Sequence, residues 1–143
     1  MQKLAFILLL ITLVSCDANK SSSSNQKQTT EKPAITEISV DEAIHDFGQL
    51  QAGEIVLHTF VLTNNGNSNF IIKSLETDCG CVKANFNNKP VKPGKNALIE
   101  VEFNTAGLVG REYKTIEVLG NSKELKHLAI FAQVENELID IKY

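Results

Sequence analysis

The chain has no tryptophan, and its only methionine is the initiator. It has three cysteines and three prolines in 143 residues. Without tryptophan it lacks the ring that antibody domains bury against their inter-sheet disulfide. Positive charge is also scarce. Fourteen Lys and Arg stand against 17 Asp and Glu, net −3, and the basic residues never cluster. Nucleic acid calls for a basic patch and is not an expected partner. No apolar run reaches the about 20 residues that a bilayer-spanning helix needs. A glycine-rich phosphate loop, a zinc-protease His motif and a calcium-loop pattern are all missing. No serine or cysteine stands at a recognisable spacing from a histidine, so a hydrolytic triad is not expected. The chain reads as a non-enzyme without a cofactor.

What is present begins at the N-terminus. Lys3 supplies one positive charge, Leu4 to Val14 form a greasy core, and Leu13-Val14-Ser15-Cys16 closes it. That layout is an export signal. Its last four residues resemble a lipobox, the signal at which bacterial lipoproteins are acylated on cysteine and cut just before it. Removal of residues 1–15 would leave 128 residues, enough for one domain, and take the net charge to −4. Cys16 is the expected lipidation site, with palmitate as a typical acyl group, and the lipid bilayer is the expected first partner. One acyl chain holds a protein marginally and several hold it firmly. Lipoproteins of this kind carry three. The expected location is the cell envelope, on its periplasmic or surface face. Asp17 resembles a retention signal of some bacterial inner membranes, a rule that varies between lineages.

From the lipidated Cys16 to about residue 35 the chain reads as a tether, with four consecutive serines (Ser21 to Ser24) and no large apolar residue before Ile35. Such a stretch cannot offset its own ordering entropy. As a coil of about 18 residues it would span some 20–25 Å. Residues 36–143 form the expected globular domain. Short apolar runs there are separated by turn residues about ten apart. Ile35 to Val40, Ala43 to Phe47 (stopped by Gly48), Glu54 to Thr63 and Phe70 to Leu75 read as strands. Asn64-Asn65-Gly66-Asn67 supplies a turn, and Pro90 and Pro93-Gly94 punctuate a loop. Ala97, Ile99, Val101 and Phe103 alternate with Glu100 and Glu102, the mark of a half-buried antiparallel strand. Tyr113 to Leu119 and Leu125 to Val134 pair naturally across Gly120-Asn121-Ser122. No helical period persists and no repeat is evident. The expectation is all-β: an immunoglobulin-like antiparallel β-sandwich of about seven strands.

Two sets of blocks then become recognisable. His45-Asp46-Phe47-Gly48, Gly53-Glu54, His58-Thr59-Phe60 and Thr63-Asn64-Asn65-Gly66 make the first. Asp78-Cys79-Gly80-Cys81-Val82, Val91-Lys92-Pro93-Gly94 and Val101-Glu102-Phe103-Asn104-Thr105-Ala106-Gly107 make the second. In order and spacing they resemble the domain-of-unknown-function 1573 family over roughly residues 38 to 134. That resemblance implies a bacterial, often exported protein with a fold like the immunoglobulin-like modules of ciliary proteins such as hydin. It implies no activity. Val82 and Asp78 depart from the family, which often has Thr or Ser after the second cysteine and Ser before the first.

Cys79-Gly80-Cys81 is the one constellation with chemical potential. In an extended strand residues i and i+2 share a face with Cα atoms about 6.5–7 Å apart. Disulfides usually need 4.4–6.8 Å, so closure calls for a kink that Gly80 can permit. A bridge so short adds little by loop-closure entropy. Three readings stay open: small buried side chains, thiol-disulfide exchange, or Cu(I) or zinc held by two thiolates. Zinc wants two further ligands, and His45, His58 and His127 are scattered in sequence rather than at ligand spacing. Copper carriers often supply methionine, which the processed chain lacks. No metal site is expected, Cys79 and Cys81 being the weak alternative. His58 alternates with Val56, Phe60 and Leu62 and reads as a packed residue with its ring nitrogens satisfied locally. Asp41-Glu42 reads as solvated loop charge. The sequence thus points to a membrane-anchored exported lipoprotein whose non-catalytic sandwich binds a protein or envelope component. The alternative is thiol-disulfide exchange or Cu(I) handling through Cys79 and Cys81.

Overall fold

The computed structural model describes residues 34–136. The export signal, Cys16, the tether as far as residue 33, and residues 137–143 lie outside the described residues. Eight strands follow in order: β1 (Ile38–Val40), β2 (Ile44–Gln51), β3 (Ile55–Asn64), β4 (Ile72–Thr77), β5 (Val82–Phe86), β6 (Asn96–Asn104), β7 (Gly110–Gly120) and β8 (Lys126–Glu135). They form two four-stranded sheets, β1-β3-β6-β5 and β2-β8-β7-β4. The expected β-sandwich is present, with one strand more than the seven read from the sequence.

Alternation along each strand decides which side chains enter the space between the sheets. Ala97, Ile99, Val101 and Phe103 of β6 are buried, while Leu98 and Glu100 between them are exposed. β3, paired with β6 from Ile55↔Asn104 to Thr63↔Asn96, adds Phe60 and Leu62 to the same layer. From the other sheet come Ile116 and Val118 of β7 and Leu128, Ile130, Ala132 and Val134 of β8. Burying each larger side chain stabilises the fold by about 1.5–3 kcal/mol. The β7–β8 hairpin expected across Gly120-Asn121-Ser122 pairs from Gly110↔Val134 to Val118↔Lys126.

Three features differ from the sequence reading. Gly48 does not stop the second strand, which runs on to Gln51. It sits at a bulge, where pairing with β8 jumps between Asp46 and Gln49, with φ at 73° and its N–H donating to Asp46 Oδ1 at 2.8 Å. A bulge inserts one residue, so the inward face changes parity. His45 and Phe47 point inward before it and Leu50 after it. Second, the sandwich is not wholly antiparallel, because β2 runs parallel to β8. Third, β5 occupies a segment the sequence reading left without a strand. Its pattern is there, with Val82 buried, Ala84 and Phe86 packed on the core, and Lys83 and Asn85 exposed.

Polar side chains hold the ends of the sandwich. Asn64 is fully buried: its Oδ1 accepts from Thr36 Oγ1 (2.8 Å) and Gly66 N (3.1 Å), and its Nδ2 donates to Ser68 O (2.8 Å) and Val91 O (2.9 Å). Asn121 accepts from Ile71 N at 2.7 Å and donates to Ala34 O and Asn69 O. Thr105 Oγ1, also buried, reaches Gln51 O at 2.8 Å and Glu54 O at 3.0 Å. Among the described residues no buried side-chain N or O atom lacks a partner. Losing one partner of a buried hydrogen bond costs about 1–3 kcal/mol per stranded group. Asn64→Ala should therefore lower the unfolding free energy by about 2–4 kcal/mol in urea titrations. Asn65→Ala, at an exposed position, should stay within about 0.5 kcal/mol.

Candidate functional site

The expected chemical residues fall in two places. Cys79 and Cys81 occupy the connection from β4 to β5 and are joined as a disulfide, with Cα atoms 5.2 Å apart. The backbone turns here instead of extending: Val82 N donates to Cys79 O at 3.3 Å. Asp78 fixes the approach, its Oδ2 accepting from Thr115 N (3.0 Å) and Thr115 Oγ1 (3.1 Å) on β7. On the far side Asn104 N donates to Cys81 O at 2.9 Å, tying the turn to the end of β6. Gly80 is exposed, is not among the glycines with positive φ, and an added Cβ would meet nothing within 4 Å. The bend thus comes from the hydrogen-bonded turn and its anchors, not from a conformation reserved for glycine. Both cysteines are half-buried and rest against the core.

The second place was not read from the sequence. His45 on β2 and His58 on β3 belong to different sheets, yet their rings stack with centroids 3.6 Å apart and planes 11° from parallel. Two phenylalanines meet the pair edge-on, Phe47 at 4.6 Å from His45 and Phe60 at 4.5 Å from His58. Phe47 also lies 6.3 Å from Phe103 in the core. Glu42, in the bend before β2, completes the group. Its Oε1 lies 3.1 Å from His45 Nδ1 and its Oε2 3.9 Å from His58 Nε2. The solvated loop charge expected at Glu42 is therefore part of a cluster, although 54% of its side chain remains exposed. His58 is packed as expected. The expectation that the histidines are scattered fails for this pair, since the sandwich closes 13 positions of sequence to stacking distance. His127 stays apart, near Glu117 on an exposed cross-strand position.

A signal for the pair does exist in the sequence. His45-Asp46-Phe47 and His58-Thr59-Phe60 repeat a His-x-Phe pattern, which on strands puts both histidines on the aromatic, inward face. What the pattern lacks is the sheet assignment that makes the two faces meet.

The His58 imidazole is held below its ordinary pKa of 6.5. Burial is the largest cause and the neighbouring His45 the second, with Glu42 acting the other way. At pH below 6.5 the unfolded chain takes up a proton at this position that the folded chain resists. The contribution of neutral His58 to stability is therefore present above 6.5 and lost as pH falls toward the lowered value. Urea unfolding in the presence of a chelator should show a lower midpoint at pH 5.5 than at pH 7.5. His58→Gln should flatten that difference.

The comparisons with known proteins agree with this frame. No curated protein matches the chain in sequence. Among solved structures, a protein of unknown function from Porphyromonas gingivalis W83 superposes with a TM-score of 0.62 at 18% identity, over 73% of this chain and 50% of that one. The ASH / PapD-like domain 7 of human CEP192 gives 0.60 at 11% identity, over 76% of this chain and 92% of that one. The secreted serine protease VesC of Vibrio cholerae gives 0.54 at 16%, over 69% and 23%. The chain thus spans half of the first of these proteins and under a quarter of the protease, and at such identities the likeness is one of fold. That fold is the immunoglobulin-like, PapD-like sandwich. Over residues 38–134 the chain also matches the family described as "Protein of unknown function (DUF1573)". With two thirds of its length inside that match, the chain belongs to the DUF1573 family.

Proposed function

We propose that this protein is an exported lipoprotein, anchored to a membrane of the cell envelope through acylated Cys16, whose β-sandwich binds another protein and carries out no catalysis. The anchor rests on the Leu13-Val14-Ser15-Cys16 signal behind its greasy run. One observation carries the binding reading. Beside the C-terminal end of edge strand β5 lies a surface hollow of about 960 Å3, lined by Asn85 and Phe86 of β5, Leu98 and Glu100 of β6, and the loop that joins the two strands. An edge strand offers an unpaired row of N–H and C=O groups, and a partner strand can add to it while its side chains enter a neighbouring pocket. Apolar side chains stand out on the same sheet, Leu57 at 74% exposure and Ile55 at 58%.

Two measurements test the reading. Cys16→Ser should abolish fatty-acid labelling and release the protein from sedimented membranes. Persistence in the membrane fraction would refute the anchor. A photo-reactive residue at Asn85 should give a discrete cross-linked species in intact cells, and one at Tyr113 on the other sheet should not. Monomer alone from both positions, at native abundance, would refute the binding edge.

The second reading is thiol-disulfide exchange at Cys79 and Cys81, favoured by the disulfide in a half-buried, anchored turn. A partner thiolate would attack one sulfur, release the other as thiolate, and leave a mixed disulfide that a second thiolate resolves. The two electrons pass from the partner dithiol to this pair. Redox titration with thiol counting tests it. A potential above about −230 mV, in the range of exchange proteins, supports the reading, and a pair that stays closed against glutathione refutes it.

A further inference from the structure

The seam between β2 and β3 carries chemistry that neither reading above uses. Glu42, His45 and His58 each offer one donor atom, and these atoms all lie within 4.8 Å of one another. The carboxylate already turns one oxygen toward each imidazole, Oε1 toward His45 Nδ1 and Oε2 toward His58 Nε2. Two imidazoles and a carboxylate make up a donor set for first-row transition metals, with copper(II) bound tightest and zinc more weakly but in a geometry that suits it. Calcium and magnesium want oxygen donors and suit the set poorly.

We infer that Glu42, His45 and His58 form a binding site for one divalent transition-metal ion, zinc(II) or copper(II), which clamps β2 of one sheet to β3 of the other. Bonds of about 2.0–2.2 Å place tetrahedral donors about 3.4 Å apart, so the widest pair in the cluster has to close by at most about 1.4 Å on binding. The parallel rings must also splay, because each nitrogen lone pair lies in its ring plane. The bend carrying Glu42 supplies the freedom, since it precedes β2 and leaves the carboxylate exposed. Phe47 and Phe60, edge-on to the rings, limit how far the imidazoles can swing. A fourth position would open to solvent on the Glu42 side. Binding involves no redox change.

β2 and β3 share no backbone ladder, because each belongs to its own sheet. A metal bridge therefore adds a cross-link that the fold otherwise lacks, and binding to the folded state alone raises its stability by mass action. Titration of the full chain in mild detergent with zinc(II), copper(II) and cobalt(II) tests the site. Expected are one equivalent bound, visible cobalt d–d absorption of a nitrogen-oxygen site, nitrogen couplings in the copper spectrum, and a metal-dependent rise in unfolding temperature. His45→Gln and His58→Gln should weaken binding beyond the roughly ten- to hundredfold that loss of an outer-shell partner costs. Glu42→Gln, at an exposed position where folding is safe, should weaken it by more than the roughly tenfold at the low end of outer-shell losses. Cys79→Ser/Cys81→Ser should leave it unchanged. No stoichiometric uptake, affinity indifferent to Glu42→Gln and His45→Gln, or uptake lost with the cysteines instead would each overturn the assignment.

Discussion

The chain crosses between the two sheets at five of its seven strand connections, and each crossing takes backbone out of a ladder. Peptide groups near a core must find partners or lose the energy of a hydrogen bond. Here side chains supply them. Asn64 and Asn121 serve the passage from β3 to β4, Thr105 closes the one from β2 to β3, and Asp78 the one from β4 to β5. Apolar alternation alone would bury the inner faces without deciding how the strands connect. The polar pins decide it. They also make the ends of the sandwich less tolerant of substitution than its outer faces, where an exposed leucine such as Leu57 is accommodated.

The period of two was readable wherever a strand lay in the middle of its sheet. β6, flanked by β3 and β5, alternates between a buried and a largely exposed face, and β8, flanked by β2 and β7, keeps Leu128, Ile130, Ala132 and Val134 on its inner face although Ala129 opposite them is buried too. Edges were harder. β5 has only Val82, Ala84 and Phe86 to set against Lys83 and Asn85, and it lies between a cysteine turn and a proline-rich loop that dominate the local reading. Gly48 shows a different limit. A glycine with positive φ inside a strand and a glycine ending one look alike in sequence, and only the β8 partner shows which applies. Parallel pairing of β2 with β8 was equally hidden, since strand direction leaves no trace in the alternation.

Sites were less legible than strands, for a related reason. Cys79 and Cys81 are local, so their spacing could be judged against disulfide geometry before any fold was known. The judgement that a kink was required holds at 5.2 Å, though glycine's freedom proved not to be its source. His45 and His58 meet only because two sheets close on each other, and no rule of sequence spacing spans that gap. The bulge at Gly48 matters here: the parity change lets His45, Phe47 and later Leu50 all face inward. A strand without it would have to give up one of these contacts.

Both places with chemical potential lie beside crossings. The disulfide turn occupies the passage from β4 to β5, and Glu42 stands in the passage from β1 to β2. Within a sheet, ladders fix neighbours and leave side chains only to pack. Between the sheets no strand ladder acts, and beyond a few backbone bonds at the ends, such as Phe70 with Val91, position depends on directional side chains: amide and hydroxyl pins, and here also sulfur, imidazole and carboxylate. Phe103 joins the two places mechanically, pairing with Val82 next to Cys81 and lying 6.3 Å from the Phe47 ring that meets His45. A change at either crossing therefore meets the same packed aromatic ring.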